Sequence, residues 1–264
     1  MNVAMAFLLS VLVVVGAKTG AWLWQLRNRN AGMVDAIWAY TLGSLAVLYA
    51  LCGTAPPGVR ILLALMGGAW GLRLGLHLWR RNHGRPEDWR YAQLRAEWGA
   101  RADVKMFWFF QFQNVFTLLL SASAFAPVAY RADMPSAAAL LLAIALWVTS
   151  VVGEGVADRQ MERFRADPAQ RGQVCRDGWW RYSRHPNYFF ECLHWLAYVP
   201  LALGAPWGWL ALGAPAVMAF LLLRLSGVPL LEAEMVRRKP GYAEYVRTTS
   251  ALIPWPPKDP KPAP

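Results

Sequence analysis

Apolar residues along this chain are gathered into blocks separated by short polar, arginine-rich stretches. Each block runs to about 20 residues, the length a helix needs to cross roughly 30 Å of hydrocarbon. Seven blocks predict spans over about Asn2 to Trp24, Met33 to Cys52, Val59 to Trp79, Met106 to Ala129, Pro135 to Gly153, Tyr188 to Gly204 and Trp207 to Leu225. Blocks such as Ala137 to Val152 do not alternate with period two, which excludes a β-barrel. The pattern therefore predicts an all-α, polytopic membrane protein of about seven transmembrane helices. Between the blocks, Glu87 to Trp98 reads as an amphipathic helix, and Gly155 to Arg165 continues the fifth span beyond the bilayer. Ala205 and Pro206 leave so short a link that spans six and seven form a hairpin.

Composition supports that class: 56% of the 264 residues are hydrophobic and 16% charged, where a soluble domain carries about one-quarter charged residues. The net charge of +11 raises the question of nucleic acid, and the position of the charges answers it. Basic residues crowd the loop after span one (Arg27, Arg29), the loop after span three (Arg80 to Lys105), the segment before span six (Arg159 to Arg184) and the tail (Arg237 to Lys261). The opposite loops hold only Arg60 and Arg131. This asymmetry places the N-terminus outside and the C-terminus in the cytosol, and no nucleic-acid partner is needed. Cys52, Cys175 and Cys192 have neither the spacing nor the even number of a disulfide framework or zinc site. The first block has no basic leader or cleavage pattern and reads as a retained span, and the Pro-rich end over 255–264 reads as an extended tail.

Polar groups inside spans are costly and normally face a bundle interior or a wet cavity. Span two opens with Asp35, and span three carries Arg73 and His77 one turn apart. Span four carries Gln111, Gln113 and Asn114. Span five ends in a stripe of Glu154, Asp158, Glu162 and Arg165, and span six carries Asn187, Glu191, His194 and Tyr198 at helical spacing. These stripes predict a common cavity opening toward the arginine-rich side, suited to a charged or phosphorylated ligand held by Arg165, Arg171, Arg176, Arg181 and Arg184. Each arginine taken alone reads as headgroup contact or topology, and His77 and His194 taken alone read as interhelical hydrogen bonds; only the arginine cluster beside a polar cavity shifts that balance. Glu191, with Asn187 a turn before it and His194 a turn after, is either a structural polar knot or a ligand-orienting site. The tryptophans at span ends, Trp22, Trp24, Trp79, Trp207 and Trp209, read as interfacial belt. Rossmann, P-loop, zincin and serine-elbow motifs are absent, so any nucleotide must be held by the helical bundle.

The run Gly178-Trp-Trp-Arg-Tyr-Ser-Arg-His-Pro-Asn-Tyr-Phe-Phe-Glu191 resembles the signature of the steroid 5-alpha-reductase family and its bacterial membrane relatives. Glu87-Asp-Trp-Arg-Tyr91, Glu154-x-x-x-Ala-Asp158-x-Gln160, Asp35-x-x-Trp38 and Tyr245-x-x-x-Thr-Ser250-x-x-Ile-Pro254-Trp extend the resemblance over most of the chain. It implies one integral-membrane domain over 1–264, with an acceptor pocket in spans 1–130 and an NADPH-binding part over 135–254. The implied reaction is hydride transfer to the C=C of an enone lipid from the bilayer, steroid-like or isoprenoid. By this resemblance Asn187 and Glu191 hold the nicotinamide, and Glu154, Asp158 and Arg165 contact the adenosine or phosphate end. Tyr245 borders the same site, Arg184 and His185 close over it, and Arg176, Tyr182 and Tyr188 complete the set. Animal members use a Gln-Glu pair and a tyrosine as proton donors; here the corresponding spans offer Asp35, Tyr40, Arg73 and His77, with Asp35 the first candidate acid. Two other readings stand beside it. Arg184-His-Pro-x-Tyr188 and the stretch Glu232-x-Glu234 to Gly241-x-x-x-Tyr245 resemble the isoprenylcysteine carboxyl methyltransferases, which implies S-adenosylmethionine as cofactor. A bundle that binds sterol or lipid without chemistry is the third.

Overall fold

The computed structural model describes residues 1–258; Lys261 and the rest of the Pro-rich end over 259–264 lie outside them. The described chain is helical, with helices α1 (Val3–Asn28), α2 (Met33–Cys52), α3 (Pro57–Asn82), α4 (Trp89–Trp98), α5 (Ala102–Ala129) and α6 (Ala137–Ala166). The remainder is shorter: α7 (Pro186–Leu196), α8 (Tyr198–Ala202), α9 (Gly213–Phe220), α10 (Val228–Arg238) and α11 (Tyr242–Thr248). No β-strand occurs among the described residues, only one isolated bridge between Ser183 and Ser250. Six helical stretches are long and apolar enough to cross a membrane: Val3–Asn28, Met33–Cys52, Pro57–Asn82, Trp89–Ala129, Ala137–Ala166 and Gly208–Arg238. The chain is an integral membrane protein.

The block expected to form a sixth span is divided into α7 and α8. Proline has no N–H to donate, and its ring clashes with the carbonyl four residues back. Pro200 therefore cannot extend a helix over Leu196, and the Ala197 N–H is shared between the carbonyls of Leu193 and His194, 3.1 Å from each. The link that follows is as tight as its length predicts, with Ala205 N–H on the Ala202 carbonyl (3.0 Å) and Gly208 N–H on the Ala205 carbonyl (2.9 Å). The last block is not a uniform helix either. After α9 the chain widens into a π-turn over Leu221–Leu225, closed by the Ser226 N–H on the Leu221 carbonyl at 2.9 Å.

The chain divides into two compact units, one of Met1–Ser136 with Tyr198–Ala214, the other of Ala137–Ala197 with the chain from Pro215 onward. In the first unit, α2 and α3 approach to backbone contact. A Cβ on Gly71 would stand 2.6 Å from the Gly43 Cα and 2.8 Å from the Ala39 carbonyl oxygen. One on Gly67 would collide with the Ala46 methyl group, and one on Gly75 would press into the Tyr40 ring. Gly67, Gly71 and Gly75 recur every fourth residue, so they form one smooth face of α3 on which α2 lies. Helix α1 joins through a buried row of Ala6, Ser10, Val14, Lys18, Ala21 and Gln25 and packs on α2 and α5. Phe125 of α5 sits edge-on to Tyr49 of α2 (6.3 Å) and Tyr198 of α8 (5.2 Å). In the second unit, α6 continues unbroken past the apolar block and packs on α7, where the Phe190 ring covers Gly153.

Gly71→Val places a branched side chain against backbone, and overpacking of this kind costs about 1–3 kcal/mol or more. The variant is expected to show a clearly lower midpoint of thermal unfolding in detergent, or no recoverable folded protein. Gly20→Ala, where nothing lies within 4 Å of the added methyl, is expected to match or exceed the parent midpoint because alanine favours the helix by about 0.5–1 kcal/mol.

Candidate functional site

At one end of the first unit the termini of α1, α2, α3 and α5 and the whole of α4 are tied together by charge. Asp88 caps α4 by accepting the Arg90 N–H at 3.0 Å. The Arg90 guanidinium then bridges Asp88 (2.9 Å) and Asp35 (2.8 Å), and the Tyr91 hydroxyl donates to the other Asp35 oxygen at 2.6 Å. A second group centres on Arg95, which grips both Glu87 oxygens (3.1 and 2.9 Å), reaches Gln25 at 2.8 Å and contacts Asp103 at 3.3 Å. Glu87 in turn accepts the Ala31 N–H (2.7 Å), and Asp103 pairs with Arg29 (3.0 Å). Burial raises the Asp88 carboxyl, but the hydrogen bond and charge of Arg90 outweigh it and hold the group below its ordinary value.

The four residues expected at the acceptor all lie in this unit. Asp35 is an ion-paired carboxylate whose oxygens accept from an arginine and a tyrosine. Tyr40 lies in the α2–α3 seam against Gly75. Arg73 and His77 are half-buried one turn apart on α3. Deeper in the unit is a charge the span-by-span reading passed over. Lys18, on the buried row of α1, is 1% exposed, and its ammonium donates to the Gln113 carbonyl oxygen at 2.7 Å. Around it Gln111 donates to the Thr19 hydroxyl (3.2 Å) and accepts from the Asn114 amide (2.8 Å). The signal was present in the sequence: Lys18 is the only charged residue between Asn2 and Trp24.

All eleven residues expected at a cofactor lie in the second unit. Glu154 on α6 and Glu191 on α7 are both buried, and each directly follows a residue of the Gly153–Phe190 contact. Glu191 accepts the Trp195 indole N–H at 2.9 Å. Asn187 is half-buried in the first turn of α7, Asp158 is half-buried one turn beyond Glu154, and Arg165 is exposed at the end of α6. The remaining members make contacts within the protein. Arg184, buried, forms a two-pronged pair with Glu232 (2.6 and 3.2 Å) and donates to the carbonyls of Val246 (2.9 Å) and Thr249. His185 touches the same Glu232 oxygen at 2.9 Å and stacks on Tyr188. The Tyr245 hydroxyl donates to the carbonyls of Trp180 and Ser183, and burial pushes its ionisation well up, so it remains a donor. Arg176 lies over the Tyr245 ring and 3.5 Å from Glu244, while Tyr182, exposed, accepts the Trp255 N–H at 2.9 Å. Arg184, His185, Tyr245 and Tyr182 therefore fasten the C-terminal stretch to the Gly178–Glu191 run. Spacing alone could not show this, because Glu232 is 48 residues from Arg184. Among the described residues no group of His, Cys, Asp and Glu is arranged for a metal ion.

Residues 21–249 match the model of a family described as Protein of unknown function (DUF1295). The chain belongs to that family. Neither a curated protein nor a solved structure matches it. The DUF1295 segment takes in both units and every site residue expected from the sequence, and it begins three residues after Lys18.

Two variants separate the fastening from the ligand groups. Glu232→Gln leaves the Arg184 guanidinium buried without its carboxylate, a loss of about 3–5 kcal/mol by the behaviour of broken buried pairs. Tyr245→Phe removes one hydroxyl and is expected to cost about 1–3 kcal/mol; both are read as thermal midpoints in detergent. The Asp88 pairing carries its own pH signature. Its carboxyl lies lower folded than unfolded, so it stabilises above the unfolded value of about 3.9 and is lost as pH falls through the folded value. Asp88→Asn is expected to lower the midpoint at pH 7, with the gap to the parent narrowing as pH falls below about 3.9.

Proposed function

We propose that this DUF1295 protein is an NADPH-dependent membrane reductase that saturates the activated C=C of an enone lipid, a 3-oxo-delta-4 steroid or another isoprenoid acceptor. The observation that supports the reading is the pairing of α6 with α7, which buries Glu154 and Glu191 on facing helices with Asn187 one turn away. Buried carboxylates and an amide are acceptors for the carboxamide N–H groups of a nicotinamide, and exposed Arg165, Arg171 and Arg181 offer guanidinium forks to phosphates. The donor set thus fits NADPH, which when bound supplies the hydride. Asn187 and Glu191 then orient the ring, Asp158 and Arg165 take the far end, and the Arg184–Glu232–His185 and Tyr245 contacts hold the segment that carries Asn187 in place. We further assign seven crossings by counting α7 with α8, an external N-terminus, and a cytosolic C-terminus and cofactor site, from the gathering of basic residues on alternate loops.

One observation favours a different chemistry. Glu232 joins the two segments that resemble the isoprenylcysteine carboxyl methyltransferases, Arg184-His185 and the stretch from Glu232 to Tyr245. Thermal midpoints of the detergent-purified protein with NADPH, NADH or S-adenosylmethionine at equal concentration decide between them. A ligand at 100 times its dissociation constant stabilises by about 2.7 kcal/mol. A rise with NADPH is expected; a rise with S-adenosylmethionine alone overturns the reductase in favour of methyl transfer, and no rise with any of the three leaves a lipid-binding protein without chemistry. Glu191→Gln is expected to weaken the NADPH response at least tenfold while membrane expression stays normal, and an unchanged response removes Glu191 from the site.

A further inference from the structure

Lys18 sits in the apolar helix α1 ten residues before its C-terminal Asn28, about 15 Å along the axis at 1.5 Å per residue. Trp22 and Trp24 follow within two turns, yet the side chain does not extend to their layer: it is 1% exposed and turned to α5. An ammonium has three donors, and among the described residues this one makes a single hydrogen bond, to the uncharged Gln113 amide. The carboxylate whose charge reaches it, Asp35, is bonded to Arg90 and Tyr91. Nearby on α5, the Asn114 side-chain oxygen is buried without a partner among the described residues. The cluster therefore holds unused donors on Lys18 and an unused acceptor on Asn114. Its rim of Thr19, Gln111 and Gln113 is half-exposed at the surface of the first unit, beside exposed Val15, Phe112 and Val115. A buried amine beside an unpartnered amide oxygen, under a rim flanked by exposed apolar side chains, suits a molecule that is mostly hydrocarbon and carries one oxygen.

We propose that Lys18, with Gln113 and Asn114, binds the oxygen-bearing end of a bilayer lipid entering along the α1–α5 seam. A ketone accepts from the ammonium; a hydroxyl accepts from it and donates to Asn114 as well. The inference deepens the reductase reading and rests on it for one point, that the oxygen is the carbonyl of a conjugated ketone. There a buried donor is well placed, since charge gathers on that oxygen when the double bond is reduced. A lysine that merely tied α1 to α5 would give a seam indifferent to the lipid.

The test uses the full chain in nanodiscs doped with a 3-oxo-delta-4 steroid, with the 3-hydroxy steroid of the same skeleton, or with the parent hydrocarbon. Thermal midpoints are read with and without NADPH. The oxygenated probes are expected to stabilise the parent protein over the hydrocarbon, and Lys18→Met is expected to weaken that response at least tenfold while the NADPH response persists. Undiminished discrimination in Lys18→Met, or none in the parent, overturns the proposal. A response to the ketone alone or to the alcohol alone upholds the site and identifies the oxygen. Absence of an NADPH response in the parent protein that discriminates the oxygenated probes counts against the reductase reading and not against this site. Should Lys18→Met fail to fold, a diazirine-bearing 3-oxo steroid cross-linked to the unmodified protein supplies the second reading. Adducts on 11–22 or 108–118 are expected, and adducts confined to other segments overturn it.

Discussion

A polar group held at hydrocarbon depth has no water to bond to, so every one must find its partner within the protein. That constraint orders the first unit from end to end. The backbone bonds of α1, α2, α3 and α5 are satisfied within each helix, and the freed groups at the helix termini are where the charged side chains collect. Asp88 takes the Arg90 N–H, Glu87 takes the Ala31 N–H, and the Asn82 amide covers the Gly32 carbonyl at 2.8 Å. At the opposite end Arg131 donates to the carbonyls of Leu201 and Asp133, and the Ala55 N–H bonds the Ala129 carbonyl at 2.9 Å. Between these two belts the helices meet through glycine and alanine, where close packing takes the place of hydrogen bonds. Lys18 stands out against this background because its one hydrogen-bond partner among the described residues is an uncharged amide.

The second unit solves the same problem in a different medium. Its terminal part carries many polar side chains, and they are spent on one another. Arg184 satisfies a carboxylate and two carbonyls, Tyr245 two carbonyls, and Ser183 accepts the His185 N–H at 3.1 Å while donating to the Leu252 carbonyl at 2.8 Å. A loop that gives its backbone groups to buried side chains is stiff. The stiffness matters because this loop leads directly into the first turn of α7, where Asn187 and Glu191 stand. Residues that touch no ligand can therefore still set the geometry of those that do.

Hydrophobic blocks made much of the fold legible. The bounds of α2 coincide with the predicted span, α4 falls within the amphipathic stretch Glu87 to Trp98, and α6 runs on past Gly153 as its polar stripe required. What a block count misses is the effect of single residues. Pro200 lies within an apolar run, and hydropathy has no way to register that it lacks an N–H. The Gly67, Gly71 and Gly75 row was readable as a packing face, yet glycine carries no signal in a search for polar groups. At the site, resemblance gathered residues by motif, and a motif does not distinguish a side chain that meets a ligand from one that braces the chain. That Arg184 and Tyr245 brace the chain became visible only from the position of Glu232 and of the backbone carbonyls they bond.

The two candidate centres also differ in what kind of charge they can handle. Around Asp35 the carboxylates of Asp35 and Asp88 meet Arg90 and Arg81, so the cluster is close to balanced and gains little from a further ion. Its ion pairs hold α4 against the ends of α2 and α3. Around Lys18 the direct partners are neutral: a buried amine faces amides in a medium of low polarity. A site of that kind attracts the negative end of a dipole over a full anion, since dehydrating an anion is costly and dehydrating a ketone is not. Selectivity for a weakly polar oxygen on a hydrophobic skeleton then follows from the depth of the lysine and the neutrality of its companions, with no shaped pocket required to explain it.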